Sequence, residues 1–530
     1  MKHRTLAVGL AVLLSVPAVS LGGVGGADAV PAVAVAVACT DPTASLDPSC
    51  VVNGSAAALV RQLCDYQWIE GVCEQYAPGS PQYETHVDPS PGAPLALRVG
   101  AVHNHSGYSD GDPATIPADY YRAGRTGHNV ADAGGDTGVI LDFMLGSDHS
   151  DNERIPITTA AVCVDPAGIP GALAALDVVG AVPPLACNNI AETNDQYWKW
   201  AATLRQAIEG TDYSPDSGYT GFTGVRGFEW TNDYYNHMNV YFSRNVVNVK
   251  TDGSYASMDV MWNWLRRPVE QGGGADALLT FNHPGGDPHL TPVDDGLPHT
   301  TLLAELKGGA NWNDVAYVPD VDARVAGIEV NGGDDIEWYV KALTKGWHVG
   351  PLANEDEHQR EWSTSSDGKT LMLTRGRSPR DYYYAFENQR TVAIRGDLVN
   401  GAPGTKAIVP TILFYANGSG PAGAGVQDPA ATLLGSTIRT GTTHNLHVQL
   451  SGVPAGSRVA LISNTTGGQA LPVQLGAADG TGSFTASRAV LRPLTGQSWY
   501  FAVVCPASTG LACGTDQQYS AVTAPIWLAR

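Results

Sequence analysis

The chain has 530 residues, a hydrophobic fraction of 43% and a formal net charge of −21 at pH 7. This length exceeds what one core usually organises and the apolar content excludes a disordered chain, so we expect a large globular body with smaller appended regions. Because no long Lys/Arg run offsets the acidic balance, stable binding to nucleic acid is not expected.

The N-terminus has the pattern of a secretory signal. Basic residues open the chain, an apolar run continues to about Gly22, and the A-x-A-like segment 27–29 follows. We predict a signal peptide over residues 1–29 that is cleaved after Ala29. Pro17 and the following glycines make the run short for a membrane anchor. The mature protein is therefore expected to be secreted (extracellular), with no membrane segment after cleavage.

Eight cysteines are an even number, which in an exported protein favours disulfides over thiol chemistry. Residues 30–94 are predicted to form an N-terminal extension that carries four of them. None has the close CxxC spacing of a zinc knuckle, so we interpret all as structural. The spacing suggests four local pairs: Cys39 with Cys50, Cys64 with Cys73, Cys163 with Cys187, and Cys505 with Cys513.

From residue 95 to about 402, short apolar runs alternate with helical patterns, and the runs end in polar turns rich in histidine. Helices are predicted over residues 193–210, where Trp200, Leu204 and Ile208 share a face, and around 258–265. Strands and helices that alternate in this way predict an α/β body with a largely parallel sheet. Closing that sheet into a barrel would gather the strand ends on one rim.

Beyond residue 402 the pattern changes to strand alternation with Gly/Pro turns, as in Leu446, Val448 and Leu450. Helical periodicity is lost there. We therefore predict a β-sandwich domain over residues 403–530.

Six strand or loop ends between residues 103 and 358 deliver His, Asp or Glu side chains. His103 and His105 are two residues apart after a strand, so both imidazoles can reach one metal ion. A lone HxH is weak evidence, but the chain holds only 14 His and many of them fall in these turns. The later members occur in the segments SDH, GFEW, HMNVYF, FNHP and EDEH.

These segments, with HNHSGYSDG before them and GIEVNGG among them, resemble in order the motifs of the PHP superfamily, named for polymerase and histidinol phosphatase. The resemblance covers residues 95–400. It implies a distorted TIM-like (β/α)7 barrel that holds two or three divalent metal ions (Zn, Mn or Fe). The implied metal ligands are His103, His105, Asp110, His149, Glu229, His237, His283, Asp356 and His358.

Three carboxylates are expected to serve catalysis: Asp148, Glu229 and Asp356. Asp148 is expected to orient the adjacent ligand His149, whereas Asp356 is at least as well suited to bind metal directly. The chain departs from the PHP pattern at Asn104, at Ser147 and at the Asn-Glu pair before Asp356. These positions flank the ligands, so they bear on substrate choice more than on metal retention.

The predicted function is a secreted metal-dependent hydrolase of a small-molecule phosphate or ester. Clustered metals lower the pKa of a bridging water, so that a metal-bound hydroxide attacks at neutral pH. Phosphoesterase is ranked first because it is the commoner activity in the superfamily. Carboxylic or carbamic ester hydrolysis is second, because the β-sandwich tail resembles the longer branch that includes carbaryl hydrolases.

Two further alternatives come from other classes. The segment Gly107-Tyr-Ser109-Asp-Gly111 satisfies G-x-S-x-G, which would make Ser109 a nucleophile, but the serine is embedded within the metal motif. A non-catalytic secreted binding protein is the other alternative, and the complete set of ligand positions argues against it. The sequence does not indicate the oligomeric state.

Overall fold

The computed structural model describes residues 88–112, 114–129, 137–150, 198–211, 213–214, 218–219, 221–232, 235–247, 250–251, 254–255, 258–284, 311–331, 335–365, 368–464, 470–514 and 518–530. All of them belong to one compact unit, Tyr83–Arg530. The predicted signal peptide and almost all of the predicted N-terminal extension lie outside the described residues, as do three of the predicted cysteine pairs.

The described part is mixed α/β, which confirms the coarse fold class. The α-helices of nine or more residues in the described part are α1 (Pro117–Thr126), α2 (Trp198–Gly210), α3 (Met258–Arg266), α4 (Asp335–Lys345) and α5 (Pro379–Glu387). Strands before residue 400 are β1 (Ala96–Ala101), β2 (Phe143–Leu145), β3 (Tyr213–Ser214), β4 (Gly218–Tyr219), β5 (Thr223–Val225), β6 (Gly227–Trp230), β7 (Met238–Tyr241), β8 (Lys250–Thr251), β9 (Ser254–Tyr255), β10 (Leu278–Phe281), β11 (Val325–Glu329), β12 (Gly350–Leu352), β13 (Lys369–Thr374) and β14 (Thr391–Ile394).

Later strands are β15 (Thr411–Asn417), β16 (Ala431–Leu433), β17 (Thr437–Ile438), β18 (Thr443–Ser451), β19 (Arg458–Asn464), β20 (Ala470–Ala477), β21 (Phe484–Leu491), β22 (Gln497–Cys505), β23 (Ala521–Thr523) and β24 (Ile526–Ala529). The described residues after 400 form no α-helix, so this part is rich in β-structure, as predicted.

Both helices predicted from periodicity are present in the described region. Helix α2 buries Trp200 and Ile208, and α3 buries Met258, Trp262 and Leu265. The apolar residues recur every three or four positions, so they form one stripe that packs against the sheet core.

The main sheets are not largely parallel, which corrects one expectation. Strand β1 pairs parallel with β2 and β2 with β5, but β1 pairs antiparallel with β13. In a second, five-stranded sheet of order β12-β11-β10-β7-β6, strand β7 runs antiparallel to both neighbours. Antiparallel neighbours need no crossover helix, so fewer helices are required than a regular (β/α) repeat demands.

The two sheets meet where β2 continues towards His149. The amide of Glu229 donates to the carbonyl of Asp148 at 3.0 Å, and the amide of Ser150 donates to the carbonyl of Glu229 at 2.8 Å. Between β12 and β13 the described residues show no strand pairing. The Thr370 hydroxyl of β13 bonds to the backbone N–H and C=O of Ala353, the residue after β12, at 3.1 and 2.8 Å. A closed barrel is therefore not observed.

The sheet that contains β1 also runs into the C-terminal part, because β14 pairs with β23 and β23 pairs with β22. Hydrogen bonding thus crosses the predicted domain boundary at residues 402/403. A separate antiparallel sheet has the order β16-β15-β18-β21.

Cys505 and Cys513 form a disulfide with their Cα atoms 5.6 Å apart, in agreement with the pairing suggested by their spacing. Within the described residues, none of the helices has the length and apolar character needed to cross a membrane.

Candidate metal centre

The predicted ligands come from different strands that share one edge. His103 and His105 follow β1, His149 follows β2, and His283 follows β10. His237 precedes β7 rather than following a strand. Since β7 runs antiparallel to β10, its beginning lies at the same edge as the end of β10. The mixed sheet topology therefore still gathers these side chains in one place.

All nine predicted ligands fall into three groups. Within each group the ligand atoms lie within 4.8 Å of one another. These groups are His105, Asp110, His149 and His358; His103, His105 and Asp356; and Glu229, His237 and His283. His105 belongs to two groups, so the groups are neighbours rather than separate sites. The structure brings together every residue that the sequence motifs suggested as a ligand.

Glu229 lies at the centre of the cluster and is only 1% exposed. Its Oε1 is 3.2 Å from His103 Nε2 and also 3.2 Å from His237 Nδ1. Its Oε2 is 3.0 Å from His149 Nδ1. One carboxylate thus faces imidazoles from all three groups. Asn282 fixes its orientation by donating to Oε1 at 2.7 Å.

Glu329, the last residue of β11, was not among the predicted site residues. It is fully buried, with Oε1 2.7 Å from His103 Nδ1 and Oε2 accepting the backbone N–H of His283 at 2.6 Å. A carboxylate that accepts the outer ring N–H of a histidine fixes its tautomer and turns the other nitrogen towards a metal. Glu329 therefore orients ligands that belong to two different groups.

Asp148 and Ser109 support His105 in a similar way. The Ser109 hydroxyl donates to Asp148 Oδ1 at 2.9 Å and lies 3.3 Å from His105 Nδ1. Asp148 also accepts the backbone N–H of Ser106 at 2.7 Å. The Ser109 proton is thus directed at a carboxylate and not at a histidine base, which is the wrong arrangement for a nucleophile elbow. Asp148 therefore acts on His105 through Ser109.

Two ligands have backbone conformations that residues other than glycine seldom adopt. His283 has φ of 29° and Asp356 has φ of 47°. Such conformations persist only where the surroundings hold them, and they concentrate at functional sites.

The electrostatics of the cluster suit a bound cation. Burial alone would lower the pKa of His103, but nearby carboxylates, Asp356 foremost, raise it well above its usual range. Burial and the neighbouring His358 lower the pKa of His105 to about 3. Burial would raise the pKa of Glu229, yet the surrounding imidazoles hold it well below its usual range. The carboxylates therefore stay ionised and attract cations.

The donor set and its spacing fit divalent metals. Ligand atoms at about 2.0–2.1 Å from a tetrahedral zinc ion lie roughly 3.3 Å apart. Asp356 Oδ1 is 3.1 Å from His103 Nε2 and 3.2 Å from His105 Nε2. Both of these Nε2 atoms are buried and make no hydrogen bond of good geometry. Imidazole and carboxylate donors without a thiolate are those of Zn, Mn or Fe sites.

The cluster is open on one side. The side chains of Asp110 and Asp356 are 39% and 38% exposed, whereas His103 and His105 are fully buried. A small molecule would therefore approach from the side of the aspartates.

Two of the departures from the PHP pattern compensate for each other. The backbone N–H of Asn104 donates to the Ser147 hydroxyl at 2.7 Å, and that hydroxyl donates to the Asn104 carbonyl at 3.0 Å. Asn104 also donates through Nδ2 to the carbonyl of Leu145 at 2.8 Å. These bonds hold the loops after β1 and β2 together beneath the ligands.

Comparison with known proteins does not identify a family. No protein-family profile matches the chain, and no curated protein matches it. Among solved structures, the crystal structure of an engineered protein covers 82% of this chain and 94% of its own, with 12% identity and a TM-score of 0.14. A likeness this weak carries no information about fold or activity.

Proposed function

We propose that the protein is a metal-dependent hydrolase with two or three divalent ions held by the nine-residue cluster. The observation that carries the proposal is the convergence of nine histidine and carboxylate side chains into three adjoining groups around Glu229. Divalent ions bound there would supply Lewis-acid polarisation and activate water for attack on a bound ester.

We further propose that the two sheets together represent the PHP-type (β/α)7 barrel. In one sheet β1, β2 and β5 are neighbours in this order, and in the other β6, β7, β10, β11 and β12 are neighbours in this order. The Thr370 hydroxyl of β13 supports closure, because it bonds to the backbone N–H and C=O of Ala353, the residue after β12. Export by the N-terminal signal remains part of the same proposal.

The chain's own residues would divide the work. His103, His105 and Glu229 form the buried floor, and Glu329 and Asp148 fix the orientation of the two histidines. Asp356 lies on the open side and adjacent to the ligands, where it would be placed to accept a proton from water. Asp148 would act as a positioning residue and not as a proton acceptor.

A phosphate ester is the first substrate class, and the reason is the resemblance of the ordered motifs. A carboxylic or carbamic ester is the second, and one observation favours it. In the described ligand-bearing loops, Arg360 is the basic side chain at the rim, and it is already paired with Asp112. An uncommitted cation that would bind a phosphate is thus not found among the described residues of these loops.

Hydrolysis of p-nitrophenyl phosphate and p-nitrophenyl acetate, before and after chelation, separates the alternatives. Phosphate cleavage that is lost with chelator and regained with Mn²⁺ or Zn²⁺ would support the first candidate. Chelator-sensitive cleavage of the acetate alone would support the second. Chelator-resistant cleavage would favour Ser109, and no cleavage of either substrate would favour a binding protein.

A further inference from the structure

A buried ion pair lies directly behind the last two ligands. Lys369, the first residue of β13, contacts the carboxylate of Glu355, and the two side chains are 0% and 1% exposed. Lysine and glutamate are almost never fully buried unless they are paired. The Lys369 ammonium also donates to the carbonyl of Thr364 at 2.7 Å.

Glu355 immediately precedes Asp356, whose backbone is left-handed with φ of 47°. An aspartate adopts this conformation mainly where its neighbours fix it. In this conformation the Asp356 carbonyl accepts a bond from His358 Nδ1 at 2.8 Å. The same residue therefore contributes a carboxylate to one ligand group and orients a histidine of another.

The main chain on both sides of Glu355 is also held by hydrogen bonds. Ala353 is bound by Thr370, the residue after Lys369, and the carbonyl of Glu357 accepts the backbone N–H of His105 at 3.0 Å. Between these anchors, the Asn331 side chain accepts the backbone N–H of Asn354 at 2.9 Å, and Lys369 fixes the carboxylate of Glu355. The Glu355 carboxylate, held by the buried Lys369 ammonium, leaves this peptide few alternative positions, because moving the carboxylate away would leave both charges unpaired.

We propose that the Lys369–Glu355 pair is a positioning device that holds Asp356 and His358 in their metal-binding arrangement. This inference rests on the proposed metal centre. The role of the pair is then to fix the positions of the ligands and not to stabilise the fold, since a buried ion pair contributes little to net stability compared with apolar side chains of similar size.

The test is the double variant Lys369→Met/Glu355→Met, which replaces the pair by apolar side chains of similar volume. We expect the metal-free variant to unfold at the same urea concentration as the wild type or higher. Its affinity for Zn²⁺, measured by titration calorimetry on stripped protein, should fall about tenfold or more, as for other groups that orient ligands. A matched control is the exposed pair Arg266–Asp320, whose replacement by alanines should leave Zn²⁺ affinity unchanged.

Wild-type Zn²⁺ affinity in the double variant would overturn the positioning role. Loss of affinity in step with loss of metal-free stability would also overturn it, because it would indicate a merely structural pair. If the double variant does not fold, Glu355→Gln decides, since unchanged Zn²⁺ affinity there contradicts the proposal. Wild-type protein that binds Zn²⁺ without hydrolysing either ester would overturn the proposed function alone, and wild-type protein that binds no Zn²⁺ would overturn both.

Discussion

Replacing Glu329 by glutamine tests the support of the ligands most sharply, because it changes charge and hydrogen bonding at almost constant volume. The carboxylate faces two donors, His103 Nδ1 at 2.7 Å and the backbone N–H of His283 at 2.6 Å. An amide has one oxygen and one NH2 group. One donor would therefore keep its acceptor, and the other would face a second donor.

The expected loss can be worked from that one bond. A buried hydrogen bond to a charged group contributes about 1.5–3 kcal/mol, and each 1.4 kcal/mol is a factor of ten in affinity. The Glu329→Gln variant should therefore bind metal about 10- to 100-fold more weakly, which is the range found for residues that orient metal ligands. The distances within the remaining group, which contains Asp110 and His358, should change little, since the hydrogen bonds of Glu329 go to His103 and His283.

The assay is competition between the stripped protein and a chromogenic chelator for Zn²⁺, with circular dichroism to establish that the variant is folded. Glu337→Gln is a matched control, because Glu337 is an exposed residue of helix α4. A folded Glu329→Gln variant whose Zn²⁺ affinity stays within twofold of the wild type would refute the reasoning.

Three other predictions concern the centre and its surroundings. Glu229→Ala and His105→Ala should each abolish ester hydrolysis and lower the bound metal measured by elemental analysis; full metal content in either would contradict their role as ligands. Ser109→Ala should keep substantial activity because its hydroxyl serves orientation only, and a dead variant with normal metal content would restore the nucleophile hypothesis. Burial raises the pKa of Asp276 to about 6, so the folded state holds its proton more tightly and stability falls as pH rises through that value, by about 3 kcal/mol at most. In urea titrations, the unfolding free energy of Asp276→Asn relative to that of the wild type should therefore increase between pH 4 and pH 7. A difference that does not change with pH would refute this.

Much of the local structure could be predicted from the sequence. Periodicity predicted helices α2 and α3, and alternation predicted β18, because burial of one face leaves a direct pattern in the residues. The ligands were found for a different reason. Most lie in polar turns beside an apolar run, and the set of nine was the one implied by the resemblance of the ordered motifs.

Sheet topology could not be predicted in the same way. The antiparallel pairing of β1 with β13 joins segments that are far apart in sequence, and nothing local to either strand encodes the direction of its partner. The same limit applies to Glu329 and Lys369. Each is one charged residue at a strand end, and its role depends on a partner, His103 or Glu355, that only the fold brings close.

The central claim, a centre of two or three divalent ions around Glu229, is tested most directly by titrating stripped protein with Zn²⁺ and measuring the number of ions bound. We expect two or three equivalents in the wild type and a clear reduction in Glu229→Ala. Fewer than two equivalents in the wild type, or the same number in both proteins, would contradict the account.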